Sequence, residues 1–328
     1  MPASLSVRRP TRPLAACLLI VALLVSALGW WPATAGAQIY VVNNGSASIG
    51  EYSTSGATIN ATLVTGVMGF PNALALSGSD LFVANFGGNS ISEYSTSGAT
   101  INATLVSGLA SPLGLAVSGL DLFVSNSRNT SNTIGEYNAL TGATINSSLV
   151  SGLNDPLGVA VAGTDLFVAN GGSNTIGEYN AVTGVAINAT LVSGLNDPYG
   201  IAISGSDLFV VNNGNSTIGE YNAATGAAIN ATLVSGLDDA RYIAVSGSDL
   251  FVTNNGNGTI GEYTTSGAII NATLVSGLSS PRGIAVATVP EPATWAVLAG
   301  LLALGAAAGV SRCQRRRAGL AVSMRNDA

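Results

Sequence analysis

The feature that most constrains the fold is a self-similar segment written six times. Asp-Leu-Phe-Val begins at Asp80, Asp121, Asp165, Asp207 and Asp249, and Gln38-Ile39-Tyr40-Val41 is a degenerate first copy, so the steps are 42, 41, 44, 42 and 42 residues. Glu-Tyr pairs recur at Glu51, Glu93, Glu136, Glu178, Glu220 and Glu262. Asn-Ala-Thr or a close variant follows at Asn60, Asn102, Asn146, Asn188, Asn230 and Asn271. A fourth element, Pro-x-Gly-Ile-Ala-Val in its clearest form, starts at Pro71, Pro112, Pro156, Pro198, the altered Ala240, and Pro281. Four elements in six copies make 24 short segments.

Each segment reads as a strand for local reasons. Asp207-Leu208-Phe209-Val210-Val211 and Gly200-Ile201-Ala202-Ile203 are β-branched and aromatic runs bounded by Gly, Asn, Asp, Ser and Pro. Such turn residues return about every eight to twelve positions, which leaves no window for a helix of three turns. Four strands in a repeat of about 42 residues is the period of a β-propeller blade. The expected architecture is therefore all-β, a six-bladed β-propeller over residues 38–288. The repeat begins on the second strand of a blade at Ile39 and ends on a first strand, Ile284 to Val286. Joining the two ends would complete the sixth blade and remove the exposed edges of an open array. Small residues such as Ala202, between Ile201 and Ile203, suit close approach of one blade to the next.

These residues resemble NHL-type propellers. The match runs in order through Pro198-Tyr199-Gly200-Ile201-Ala202-Ile203, Leu208-Phe209-Val210-Val211-Asn212, Ile218 and Tyr221, and it extends over nearly all of residues 38–287. The resemblance implies architecture; the fold hosts enzymes and binding platforms alike.

Composition narrows the chemistry. The 328 residues contain no His, all 11 basic residues are Arg, and the two Cys, Cys17 and Cys313, lie outside the repeats. His-based triads, His-ligated zinc, lysine Schiff bases and a cysteine nucleophile in the propeller are excluded. Almost every polar residue of the repeats occurs sixfold, whereas catalysis needs an asymmetric set with distinct roles. No catalytic residue is expected, and the alternative is a divalent-cation-dependent lactonase-like or other hydrolytic propeller. The six Glu of the Glu-Tyr pairs would form a ring of carboxylates, each reaching a rim, water or a backbone partner because a dry carboxylate is costly. Turns such as Asn212-Asn213-Gly214-Asn215 offer oxygens but lack the alternating Asp and closing Glu of a calcium loop. No metal site and no cofactor are expected, a structural Ca2+ being the one ion such oxygens would suit. The Asn-Ala-Thr copies read as strand edges.

Departures from the repeat point to a binding site. Asp238-Asp239-Ala240-Arg241-Tyr242 replaces the Pro and Gly of other copies with Ala and Tyr. Arg241 and Tyr242, with Asp238 and Asp239, would stand near the channel mouth and form a small polar or glycan-binding spot. An insertion around Ser127-Arg128-Asn129-Thr130-Ser131 accounts for the long step, and Arg128, Arg241 and Arg282 are the only basic residues of the domain.

The ends read as addresses. Arg8, Arg9 and Arg12, an apolar run from Leu14 to Trp31, and small residues Ala35 and Ala37 have the layout of a secretory signal peptide, residues 1–37. Val289-Pro290-Glu291-Pro292, the apolar segment 293–310, and Arg312, Arg315, Arg316 and Arg317 follow in that order. The apolar segment would make a transmembrane helix held by the cytoplasmic arginines, followed by a cytoplasmic tail, residues 318–328. The order of these three features resembles the PEP-CTERM sorting signal of Gram-negative bacteria, here over residues 289–317. That resemblance implies an exosortase-type processing enzyme as a partner and an address at the cell envelope, outer surface or extracellular matrix.

Charge completes the reading. The propeller holds 15 acids against three Arg, a balance of −12 that leaves no basic face for nucleic acid. The expected function is an exported, non-catalytic binding or structural module, with extracellular polysaccharide or an envelope protein as its partner.

Overall fold

The computed structural model describes residues 37–127 and 131–287. Arg128 and the segments expected to form the signal peptide, the 289–317 sorting signal with its 293–310 transmembrane helix, and the 318–328 tail lie outside the described residues. Among the described residues no helix is long and apolar enough to cross a membrane.

The 24 repeated segments are 24 strands, arranged as six four-stranded antiparallel sheets. Each sheet is one blade of a closed ring. Blade 1 unites 281–287 with 38–65, and blades 2 to 6 span 71–107, 112–150, 156–192, 198–234 and 240–275. The first strand of each blade is innermost, and these six strands touch one another in cyclic order. Both chain ends meet in blade 1, where Gln38 pairs with Ala287, Ile39 with Val286 and Val41 with Ile284. This is the closure expected from the phase of the repeat, and it gives blade 1 the same four strands as the other five.

Alternation along the strands decides how blades pack. Phe209, Val211 and Ile218 share one face of blade 5, while Leu250, Val252 and Tyr263 share the facing side of blade 6, and the six form one buried cluster. Phe82, Ala84 and Ile91 of blade 2 meet Leu122, Val124 and Tyr137 of blade 3 in the same way. The hydrophobic core is therefore a set of slabs between blades, each built from one copy of Asp-Leu-Phe-Val and the next. Innermost glycines permit the closest approach. A Cβ on Gly158 would lie 2.2 Å from the Tyr199 carbonyl oxygen, and one on Gly114 would lie 2.1 Å from that of Leu157. The outermost strands are exposed over five consecutive residues, and Asn60 Oδ1 accepts the Thr62 N–H at 3.1 Å in a bulge repeated in every blade.

The slab arrangement makes a measurable distinction between two apolar positions of one blade. Phe209, fully buried between blades, should cost about 3–5 kcal/mol when changed to Ala, because its removal leaves a cavity that two rigid sheets cannot close. Ile229→Ala, on the outer strand at 54% exposure, should change stability by less than about 0.5 kcal/mol. Denaturant unfolding of the two variants checks this; equal costs would contradict it.

Candidate functional site

A single bulge in the inner strand of every blade builds the mouth of the channel. In blade 5, Pro198 pairs with Asn212 and Ile201 with Val210, so one extra residue is accommodated at Tyr199-Gly200. The same slip occurs in the other five blades. A bulge re-aims the side chain it carries, and here it brings the residue after the Pro to the mouth. From blade 1 to blade 6 these residues are Arg282, Asn72, Leu113, Leu157, Tyr199 and Arg241. A position that is structurally sixfold is thus chemically asymmetric.

Tyr242 closes the channel. It stands where four of the other five blades have Gly, and from blade 6 its hydroxyl donates to the Leu113 carbonyl of blade 3, the opposite blade, at 2.5 Å. Asn72 of blade 2 donates from Nδ2 to that hydroxyl at 2.6 Å and to the Leu113 carbonyl at 2.9 Å. Asn72 Oδ1 accepts from Arg282 Nη1 at 2.6 Å. The ring of Tyr199 meets Tyr242 edge-on, 5.3 Å between centroids at 81°, and Arg241 lies 5.1 Å over the Tyr199 ring. Burial, the largest effect, raises the Tyr242 phenol well above its ordinary 10.0, so it remains a neutral donor.

The residues singled out by sequence separate into different roles. Arg241 and Tyr242 do lie at the mouth, joined through Tyr199. Asp239 pairs with Arg241 at 3.0 Å and accepts from Asn213 at 2.7 Å and from Asn255 at 2.5 Å. Burial would raise the Asp239 carboxyl, but those amides and the Arg241 guanidinium outweigh it and bring it below its usual 3.8. Asp238 is exposed, its carboxylate lying against Gly256. Tyr242 is only 9% exposed and acts as an internal strut through its bond to Leu113. Among the described residues no group of three or more acids has metal-binding geometry.

The six glutamates stand one to a blade. Each lies on the third strand from the axis, paired with an aromatic residue on one side and Asn on the other, as Glu220 is with Phe209 and Asn230, the aromatic being Tyr40 at Glu51 and Phe at the other five. They cannot line the channel because two strands intervene. None of their oxygens is both buried and unpartnered, so they retain contact with water. Burial raises all six above the ordinary 4.5; an Asp on the neighbouring strand adds to the shift in five, whereas the Tyr40 hydroxyl opposes it at Glu51. Burial, helped by Glu51, likewise pushes Tyr40 up to about 12.

Sequence reading missed Phe70 and Phe86, which line a cleft at the mouth. A cleft of about 410 Å³ is lined by Asn44, Phe70, Asn72, Phe86, Leu113 and Arg282. Phe70 immediately precedes an inner strand at φ +56°, where the other blades have Ser or Asp. Asp tolerates that left-handed backbone, while a bulky side chain strains it. Phe86 follows a second strand where the others have Asn, Gly or Ser. The pair is tied by Phe86 N–H donating to the Phe70 carbonyl at 3.2 Å, and the Phe70 ring fills the space beside Gly87. Both rings remain open to solvent, 68% and 40% exposed. The departure from the repeat was visible at both positions, but only the fold shows that they share a cleft with Arg282. A second hollow, about 320 Å³ at the other end of the inner strands, is lined by Leu76, Gly78, Ala285, Val286 and Ala287 and holds no charged group.

The fold and site define a closed six-bladed propeller with one asymmetric mouth. The chain matches no family model and no curated protein in sequence. It is similar in structure to a chain in the crystal structure of a nidogen/laminin complex, at 16% identity and a TM-score of 0.65 over 77% of this chain and 98% of that one. It is also similar to a functionally unknown protein from Desulfotomaculum acetoxidans DSM 771, at 17% identity and a TM-score of 0.56 over 78% and 100% of the two chains. At these identities the likeness establishes the propeller fold.

The six raised glutamates predict an unusual pH dependence. An unfolded chain releases these protons near 4.5, the folded chain at higher pH, so between the two the folded state holds more protons. Stability contributed by them is complete below 4.5 and is lost as pH rises through the folded values. Thermal melts should therefore move upward as pH falls from about 7 to about 5, before the Asp239 effect reverses the trend at lower pH. A melting temperature that falls steadily over that window would contradict the placement of the six carboxylates.

Proposed function

We propose that this chain is an exported, non-catalytic binding module of NHL type, whose working surface is the channel mouth. The observation that carries the reading is the concentration of one-off residues there. The repeats conserve their strand-forming residues from blade to blade, yet Arg282, Asn72, Phe70 and Phe86 occur once each and line the same cleft. Tyr242 fills the channel beneath, so a ligand would rest on the mouth and not pass through. Exposed aromatic rings beside fixed polar groups are the usual furniture of recognition sites. One structural neighbour comes from a complex of two proteins, nidogen and laminin, which is consistent with a propeller used for binding.

Delivery rests on the sequence of the ends. The signal-peptide layout up to Ala37 supports export, and Val289-Pro290-Glu291-Pro292, the apolar 293–310 segment and the Arg312 to Arg317 cluster support sorting by an exosortase-type enzyme. The proposed address is the envelope or extracellular matrix of a Gram-negative bacterium, with surface polysaccharide or an envelope protein as partner. Mass spectrometry of the mature chain should find an N-terminus near Gln38, and a processed C-terminus near Pro290.

A second reading, a cation-dependent lactonase-like hydrolase, draws on the acids of blades 4 to 6. Burial raises Asp197, with Asp155 and Asp239 adding while Arg241 opposes, so these carboxylates feel one another. Metal analysis with a lactone and ester screen separates the readings. The binding reading expects no metal-dependent turnover and expects Phe70→Ala with Phe86→Ala to abolish retention on a glycan or envelope-protein array. Turnover that follows added metal, or retention unchanged in the double variant, would refute it.

A further inference from the structure

Arg282 is an uncompensated cation in an acidic domain. Among the described residues Arg241 with Asp239 is the one ion pair, so no carboxylate neutralises Arg282 there. Its Nε is buried and has no hydrogen-bond partner, while Nη1 is held by the wholly buried Asn72. Nη2 is neither enclosed nor hydrogen-bonded to the described residues, so it is the guanidinium nitrogen that a ligand in the cleft can reach. Asn72 cannot turn away, because its amide is committed to the Leu113 carbonyl and the Tyr242 hydroxyl. The strut across the channel thus fixes the direction in which the guanidinium faces the cleft.

The rest of the cleft states what accompanies the anion. Phe70, Phe86 and Leu113 supply an apolar wall beside the guanidinium, and Phe70 is kept in a strained backbone conformation to do so. On the opposite side of the mouth Asp239 is paired with Arg241, while Asp155 and Asp197 remain to repel a second negative charge. Polyanions are therefore disfavoured, and one carboxylate on a body with an apolar face fits.

We propose that this cleft binds a small monocarboxylate, with Arg282 holding the carboxylate and Phe70 and Phe86 covering the apolar face of its body. The inference rests on the reading of the mouth as a binding surface and names the chemistry bound there. A planar guanidinium suits a carboxylate's two oxygens. Such a ligand could be a uronic acid at the end of a saccharide or a free aromatic acid, since the CH face of a sugar and an aromatic ring both cover phenyl rings.

Calorimetric titration of the full-length protein with glucuronate, glucose, phenylacetate and phenylacetamide tests this. At least one acid should bind about tenfold or more tightly than its uncharged counterpart, and which acid does so distinguishes the saccharide source from the aromatic one. Arg282→Gln should erase that preference without lowering the melting temperature of the propeller appreciably. Arg282→Lys should keep part of the preference, because the charge remains and the fork is lost. Phe86→Ala should weaken acid and uncharged partner together. Equal binding of acid and counterpart, or an acid preference that survives Arg282→Gln, would overturn the carboxylate assignment while leaving the mouth as a binding surface. Binding of none of the four probes would also overturn it, and the glycan and envelope-protein array would then still decide the broader reading.

Discussion

The structure depends on the contact between facing blades. A four-stranded sheet from one repeat has an apolar residue on both faces at its second and third strands, so it has no dry side until a neighbour covers each. Phe209 and Ile218 look one way, Leu208, Val210 and Tyr221 the other. Only a closed ring satisfies every copy, because an open array of the same units would leave two faces wet. Blade 1 is assembled from both ends of the repeat region for this reason, and the pairing of Gln38 to Val41 with Ile284 to Ala287 locks the ring.

A ring so regular confines individuality to places where side chains leave the slabs. The bulge in each inner strand is such a place, as are the turns next to it. There the six copies carry six different combinations, and a Tyr at the position of a Gly reaches the opposite blade. That bond draws Asn72 and through it Arg282 into one network, so blades 6, 3, 2 and 1 share a hydrogen-bonded bridge across the axis. Packing makes the scaffold; the exceptions to packing make the site.

The strands, their grouping into blades and the closure were legible in the sequence because each follows from a local pattern repeated six times. Arg241 and Tyr242 were legible as mouth residues because they break a fixed position in the repeat. The role of Tyr242 was not, since reaching Leu113 depends on where a residue 129 positions away lies in the ring. For the glutamates, the cost of a dry carboxylate pointed to contact with water, but the repeat carries no information about distance from the axis, and they stand two strands away from it. Phe70 and Phe86 were overlooked because an exposed Phe in a turn looks incidental until a shared cleft gives it a neighbour such as Arg282.

Six blades and the seam between the chain ends form one cooperative ring. Native-state hydrogen exchange of the backbone amides at the seam, Ile39, Val41 and Ile284, compared with those of an interior blade such as Leu208 and Val210, tests it most directly. Both sets should open only with the whole propeller and show one common free energy of exchange. Seam amides that exchange through a separate, lower-energy opening while blade 5 stays protected would contradict it.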